Sequence, residues 1–242
     1  MLRCPKVLFA LCMGLLGTLP ENAAQARADE PSAITAIDVL LDPDATMIKR
    51  AEVANERLRA RFPKGFALDE THRTHITCLQ RFVRTADLDK VYAAVDKILT
   101  EEKPASWKLK AYKYDYMPVG DLGLAGIVIE PTDDLIRLQK KLIDAVAPFT
   151  VNTGDRTAFA TTTEEPDIGQ WLIDYVRDFV PKASGEHFSP HVTIGLAKPD
   201  YLDAMLEEKF VAFTFSPIGL SVYQLGEYGT ARKQLKRWEL KP

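Results

Sequence analysis

Four histidines are the strongest candidates for chemistry in this sequence, and all four fall in two short clusters. The first is Thr71-His72-Arg73-Thr74-His75-Ile76-Thr77-Cys78-Leu79. The second is His187-Phe188-Ser189-Pro190-His191-Val192-Thr193-Ile194-Gly195. Each holds a histidine, a β-branched apolar residue and a threonine, then more apolar sequence. On a strand, residues i and i+2 point the same way. His75 therefore shares a face with Thr77, and His191 with Thr193, while Ile76 and Val192 turn toward the core. Imidazole titrates at about pH 6.5, so near neutrality one ring can accept a proton while the other donates one. A hydroxyl beside each ring can donate a hydrogen bond to negative charge as it develops.

Two other readings of these clusters are weaker. His72-Arg73-Thr74 repeats the spacing but lies before the apolar run, with arginine in its centre. Its three-residue offset from His75 turns His72 off the shared face, so it reads as a loop or strand lead-in residue. The spacing of His187 and His191 suits zinc on a helix, but Ser189-Pro190 breaks that helix and no carboxylate lies between them. No metal site is expected. The bland alternative is that these are structural histidines and threonines in ordinary strand positions.

The elements that must carry these residues are legible from periodicity. Ile34 to Leu41 reads as a strand on the alternation of Ile37, Val39 and Leu41. Asp44 caps a helix whose buried face is Met47, Ala51, Ala54 and Leu58, ended by Pro63-Lys64-Gly65. His75 to Val83 reads as a strand, and Leu88, Val91, Val95 and Ile98 mark a second helix. Trp107 to Tyr116 and Leu122 to Glu130 read as strands, and Leu135, Leu138, Leu142 and Val146 mark a third helix. Ala158 to Thr162 reads as a short strand, followed by a helix stripe of Ile168, Leu172, Tyr175 and Phe179. His191 to Leu196 is a strand and Tyr201 to Glu207 a short helix. Val211 to Phe215, Ile218 to Leu225 and Arg232 to Leu240 close the chain as strands, with Gly226-Glu227-Tyr228-Gly229 as the last turn. Elements mixed in this way predict an α+β fold with largely antiparallel sheets.

Composition sets the outer bounds. The chain has 242 residues, 46% apolar and 27% charged, with a net charge of −3. These values exclude a disordered or polytopic membrane chain and do not suggest a general polyanion binder. Residues 1–28 read as a secretory signal peptide: Arg3 and Lys6 precede the apolar run from Val7 to Leu19, and Ala26-Arg27-Ala28 offers the favoured cleavage site, with Ala24-Gln25-Ala26 as the other. Cleavage after Ala28 removes Arg3, Lys6, Arg27 and Glu21, so the net charge moves from −3 to −5. It also removes Cys4 and Cys12. Cys78 is then the sole cysteine and reads as a small core residue. The mature chain is expected to be secreted, in a bacterial periplasm, with no membrane anchor.

The paired motifs resemble the two-histidine phosphoesterase superfamily, in its 2′-5′ RNA ligase-like branch. His75-Ile76-Thr77 and Pro190-His191-Val192-Thr193-Ile194 match the motifs that name it. The resemblance extends to Asp38-Val39-Leu40-Leu41-Asp42-Pro43-Asp44, Ala54-Asn55-Glu56-Arg57-Leu58, Gln80-Arg81-Phe82-Val83 and Tyr223-Gln224-Leu225-Gly226-Glu227-Tyr228-Gly229-Thr230-Ala231. It implies a bilobal α+β domain over residues 29–242, in which two pseudo-twofold-related lobes line a central cleft with helices outside. One motif falls in each half of the chain. The sequence departs from the family pattern in having Thr74 where proline often precedes the first motif. The motif histidines are also 116 positions apart; the extra length is expected between Tyr116 and Thr163.

The resemblance implies phosphodiester chemistry at His75, Thr77, His191 and Thr193, with no metal or nucleotide cofactor. The expected reaction is hydrolysis of 2′,3′-cyclic phosphates of nucleotides or RNA ends, or reversible 2′-5′ RNA ligation. The substrate is a small nucleotide or RNA terminus, not a nucleic-acid scaffold, and the protein is expected to be a monomer. Which histidine is acid and which is base is open at this stage. Phe188, Tyr223 and Tyr228 are candidate base-stacking residues, and Arg81 a candidate phosphate contact. Arg232 and the alternating Lys108, Lys110 and Tyr112 are weaker candidates. The rival reading is a non-catalytic periplasmic nucleotide- or RNA-binding module on the same fold.

Overall fold

The structure is a computed structural model and describes residues 33–241. The expected signal peptide lies outside the described residues. The elements run β1 (Ile34–Pro43), α1 (Ala45–Arg61), β2 (Ile76–Arg84), α2 (Leu88–Glu101), β3 (Leu109–Val119), β4 (Leu122–Ile129) and α3 (Asp133–Val146). They continue β5 (Thr150–Val151), α4 (Gln170–Ala183), β6 (His191–Ala197), α5 (Pro199–Leu206), β7 (Phe213–Phe215), β8 (Pro217–Leu225) and β9 (Ala231–Glu239).

Local chemistry explains most of these boundaries. The Asp44 carboxylate accepts from the backbone N–H of Thr46 and Met47 and so starts α1. Thr132 caps α3 in the same way through the Leu135 N–H. Met47, Ala51, Ala54 and Leu58 of α1 are buried, as are Leu135, Leu138, Leu142 and Val146 of α3. The expected strand at Ala158 to Thr162 does not form. Arg156–Ala158 is instead a 3₁₀ turn held by Asp155, whose carboxylate accepts from the Thr157 N–H and hydroxyl. A local side-chain cap there outcompetes strand pairing.

Two antiparallel sheets result, ordered β5-β2-β1-β8-β9 and β6-β4-β3-β7. The two sheets are therefore not built from successive halves of the chain, although one motif falls in each half. β8 and β9 return to the first sheet and pair beside β1, while β3 and β4 leave the first half to pair with β6 and β7. The expected pseudo-twofold is nonetheless present in the topology. Motif strand β2 pairs with β1, and motif strand β6 with β4. The helix after β1, α1, packs on β6, and the helix after β4, α3, packs on β2. Each motif strand is thus backed by the other lobe's helix. Ile76 and Val192 are fully buried in one core cluster with residues of both helices, as their alternation requires.

Candidate functional site

A cavity of about 340 Å³ opens where the two motif strands approach, and His75, Thr77, His191 and Thr193 all line it. Both imidazoles are held in one way. The His75 Nδ1–H donates to the Arg73 carbonyl at 2.5 Å, and the His191 Nδ1–H to the Ser189 carbonyl at 2.8 Å. In each case the acceptor lies two residues upstream. The proton on Nδ1 is thereby assigned, leaving each Nε2 to serve the cleft.

Both motif strands carry a β-bulge directly after the threonine. In β2, Val39 pairs with Leu79 but Leu40 with Thr77, so Cys78 is the extra residue. In β6, Ala125 pairs with Gly195 but Gly126 with Thr193, so Ile194 is extra. A bulge resets the alternation of faces. Gln80, three residues after Thr77, consequently returns to the cleft, where it also lines the cavity. Gly195 adopts φ +130°, a conformation that side chains with a Cβ rarely take.

Asp38, in the middle of β1, breaks the symmetry of the site. It is fully buried, and its Oδ2 accepts from the Thr77 hydroxyl at 2.7 Å and from Gln80 Nε2 at 3.1 Å. The His75 Nε2 lies 3.4 Å from the same oxygen. That separation is long for a hydrogen bond, so a proton on Nε2 is attracted by the carboxylate and still available to the cleft. Burial by itself would push the His75 pKa down. Asp38, the Arg73 carbonyl and the more distant Asp42 outweigh it and raise the ring above its ordinary value. His191 moves the other way. Enclosure by the cleft and the positive charge of His75 lower it, against the Ser189 carbonyl and distant carboxylates. One face of His191 is open to the cleft, so solvent tempers this shift. Two imidazoles pushed apart in this manner are suited to different protonation states near neutrality, His75 to hold a proton and His191 to be without one.

Asp38 was not singled out as functional from sequence. The signal was present: an acidic side chain between Ala36 and Leu40 on one face of a largely apolar strand. A buried carboxylate requires partners, and here they are Thr77, Gln80 and His75. The same contact alters the expected role of Thr77, because its hydroxyl proton is already given to Asp38. Thr193 has no side-chain hydrogen bond among the described residues and is free to donate.

The substrate-contact candidates separate cleanly. Phe188 and Tyr228 line the cavity. Tyr228 sits in left-handed backbone at φ 61°, followed by Gly229 at φ 70°. Its ring lies 6.3 Å from Trp171 and 5.9 Å from Phe66. Trp171 and Tyr175 of α4 complete an aromatic wall; periodicity assigned Tyr175 to the core stripe and did not single out Trp171. Tyr223 does not line the cavity: it is buried against Leu40 and Ala231, with its hydroxyl on Gln234. Arg81 also lies outside, donating to the Arg177 carbonyl. Lys110 pairs with Glu130, Lys108 donates to Ser216, and neither they nor Tyr112 line the cavity. Arg232 is buried with Glu165 and His72, not solvated on a hairpin. His72 lies in the loop before β2, as expected, stacked on Phe66 with ring centroids 4.7 Å apart. Cys78 is fully buried, which pushes its thiol pKa up and leaves it inert. Among the described residues, no three His, Cys, Asp or Glu side chains gather as a metal-ligand set.

Gly126 of β4 forms the floor under His191. A Cβ built there would lie 3.2 Å from His191 Cδ2 and 3.3 Å from the Val192 carbonyl oxygen. Gly126→Ala is expected to shift the ring by a few tenths of an ångström. If that ring transfers a proton to or from a bound substrate, the step is expected to slow about tenfold with an intact fold, since a 1 Å misplacement can cost about 100-fold. Steady-state kinetics beside a thermal melt would show it.

Comparison with known proteins places the fold. The structure resembles the crystal structure of TT0787 of Thermus thermophilus, with a TM-score of 0.52 and 14% identity over 85% of this chain and 98% of that one. It is more loosely similar to E. coli LigT complexed with ATP (TM-score 0.44, 15% identity, 87% of this chain and 100% of that one). E. coli LigT complexed with NADP+ gives a TM-score of 0.46 at 16% identity, over the same shares of the two chains. No protein-family model matches the sequence, and no curated protein matches it. The α+β, two-lobed fold implied by the motif resemblance is the fold this chain adopts.

Proposed function

We propose that the protein is a phosphodiesterase that opens 2′,3′-cyclic phosphates of nucleotides or RNA ends, with its two motif histidines as the proton-transfer groups. One observation carries this reading. Two imidazoles, each with Nδ1 tied to a carbonyl two residues upstream, meet in one cavity with their pKa values displaced in opposite directions.

Neutral His191 takes a proton from water through Nε2 as the water oxygen bonds to phosphorus. The bond from phosphorus to one ribose oxygen breaks, and protonated His75 gives its Nε2 proton to that oxygen. The product is a ribose phosphate monoester, and the proton now on His191 returns through solvent to His75. Thr193 donates to a non-bridging oxygen, where negative charge grows. Thr77 can do so only by releasing Asp38. With a ribose 5′-hydroxyl in place of water, the same groups in the same roles join a cyclic phosphate end in a 2′-5′ linkage as the bond from phosphorus to the 3′ oxygen breaks, and cleavage of that linkage back to the cyclic phosphate exchanges their roles. Trp171 and Tyr228 supply flat apolar surfaces suited to a base, each stacked base being worth about 1–3 kcal/mol.

The signal-like residues 1–28 support a place outside the cytoplasm for the mature chain, where it meets RNA fragments as a monomer. The test is to incubate the protein lacking residues 1–28 with 2′,3′-cyclic AMP in EDTA and separate 2′-AMP from 3′-AMP. One monophosphate isomer is expected. Binding without turnover of this compound or of 2′-5′-linked RNA would replace the enzyme with a binding module.

A further inference from the structure

Two buried side-chain amides stand in matching places on either side of the pseudo-twofold. Asn55 projects from α1 and Gln139 from α3, and both are almost fully buried. The Asn55 Nδ2 donates to the Ile194 carbonyl at 2.9 Å and to the Phe66 carbonyl at 3.0 Å. Its Oδ1 accepts from the Leu68 N–H at 3.1 Å. The Gln139 Nε2 donates to the Cys78 carbonyl at 3.2 Å and to the Ala183 carbonyl at 3.0 Å. Its Oε1 accepts from the Gly185 N–H at 3.3 Å.

The targets are not arbitrary. Ile194 and Cys78 are the two bulge residues, each next to a motif threonine. Phe66 and Leu68 lie in the loop leading to His75; Ala183 and Gly185 lie in the segment leading to His191. Each amide therefore joins the bulge of one motif strand to the lead-in of the other. We propose that Asn55 and Gln139 are paired positioning residues that set the placement of the two imidazoles relative to each other. This rests on the two-histidine reading of the cleft. A bulge carbonyl turned out of its ladder needs a donor, and a donor shared with the opposite loop makes the two strands move together. An amide suits the task because it offers two N–H groups and an acceptor in one plane.

The test uses Asn55→Leu and Gln139→Met, which keep volume and remove the hydrogen bonds. Each is expected to lower kcat for 2′,3′-cyclic AMP about 10- to 100-fold, with KM within threefold, well below the melting temperature. The double variant should lose less than the product of the single losses, because either cut already uncouples the strands. Asn55→Ser and Gln139→Asn, which keep one polar contact, should fall between and serve where the apolar variants do not fold. Wild-type kcat in any folded variant without these bonds would overturn the proposal. A second readout needs no turnover and so survives failure of the phosphodiesterase reading. Amide hydrogen exchange in Gln139→Met should quicken both around Cys78 and at Gly185–His187. Quickening confined to one of the two would show a local structural role and overturn the coupling.

Discussion

His191→Ala is expected to lower kcat for 2′,3′-cyclic AMP by about 10²–10⁴-fold, the range of a positioned proton transfer. His75→Ala should do the same, because proton removal from water and proton delivery to the ribose oxygen are separate parts of one displacement. The two variants should differ in stability. His191 is open to the cleft and its loss removes one exposed hydrogen bond to Ser189, so its melting temperature should stay near wild type. His75 is buried against Asp38. Its removal leaves a buried carboxylate with Thr77 and Gln80 alone, at a cost of about 1–3 kcal/mol. Steady-state kinetics with thermal melts would separate these effects, and turnover within tenfold of wild type in either variant would refute the acid–base assignment of that histidine.

Asp38→Asn should narrow the pH range of activity from one side. The proposed mechanism needs His191 neutral and His75 protonated, so on it kcat/KM rises as pH passes the lowered His191 value and falls as it passes the raised His75 value. Removing the Asp38 charge removes the main support of the His75 proton, and the alkaline limb should move toward acid. The loss above that limb is about tenfold for each unit by which the ring's pKa falls. On the acid side of the shifted limb the loss should be small, and that contrast marks a proton effect and not a damaged fold. The sign for stability follows from the same shift. A raised folded pKa contributes stability that is fully present below imidazole's ordinary value, about 6.5, and is lost as pH rises through the folded value. The melting-temperature gap between wild type and Asp38→Asn should therefore shrink as pH rises. A parallel pH profile with unchanged limbs would show that Asp38 does not govern the His75 proton.

Much of this site is legible in one dimension because its chemistry is local. The two His-x-Thr triplets need only strand alternation to put ring and hydroxyl on one face, and Ile76 and Val192 confirm that alternation by their complete burial. Asp44 and Thr132 announce α1 and α3 by caps that span three residues. Phe188 and Tyr228 reach the cavity because they adjoin a motif or the last turn. What fails is what depends on partners far along the chain. Arg81 and Tyr223 sit in promising segments, yet the Arg177 carbonyl and Gln234 claim their polar groups. Tyr175 follows a core-like stripe and Trp171 stands outside it, and only the packing of α4 beside β2 makes them a cleft wall.

Two histidine–threonine faces, the helices and strands that bear them and an α+β architecture can all be read along the chain, since each depends on contacts within a few residues. Folding in three dimensions was needed to close β8 and β9 onto β1, to bring Asp38 to His75, and to cross Asn55 and Gln139 between the lobes. Those contacts join residues dozens to well over a hundred positions apart. No local periodicity encodes them. They depend on which sheet edges pair and which buried polar groups must find partners when the core closes.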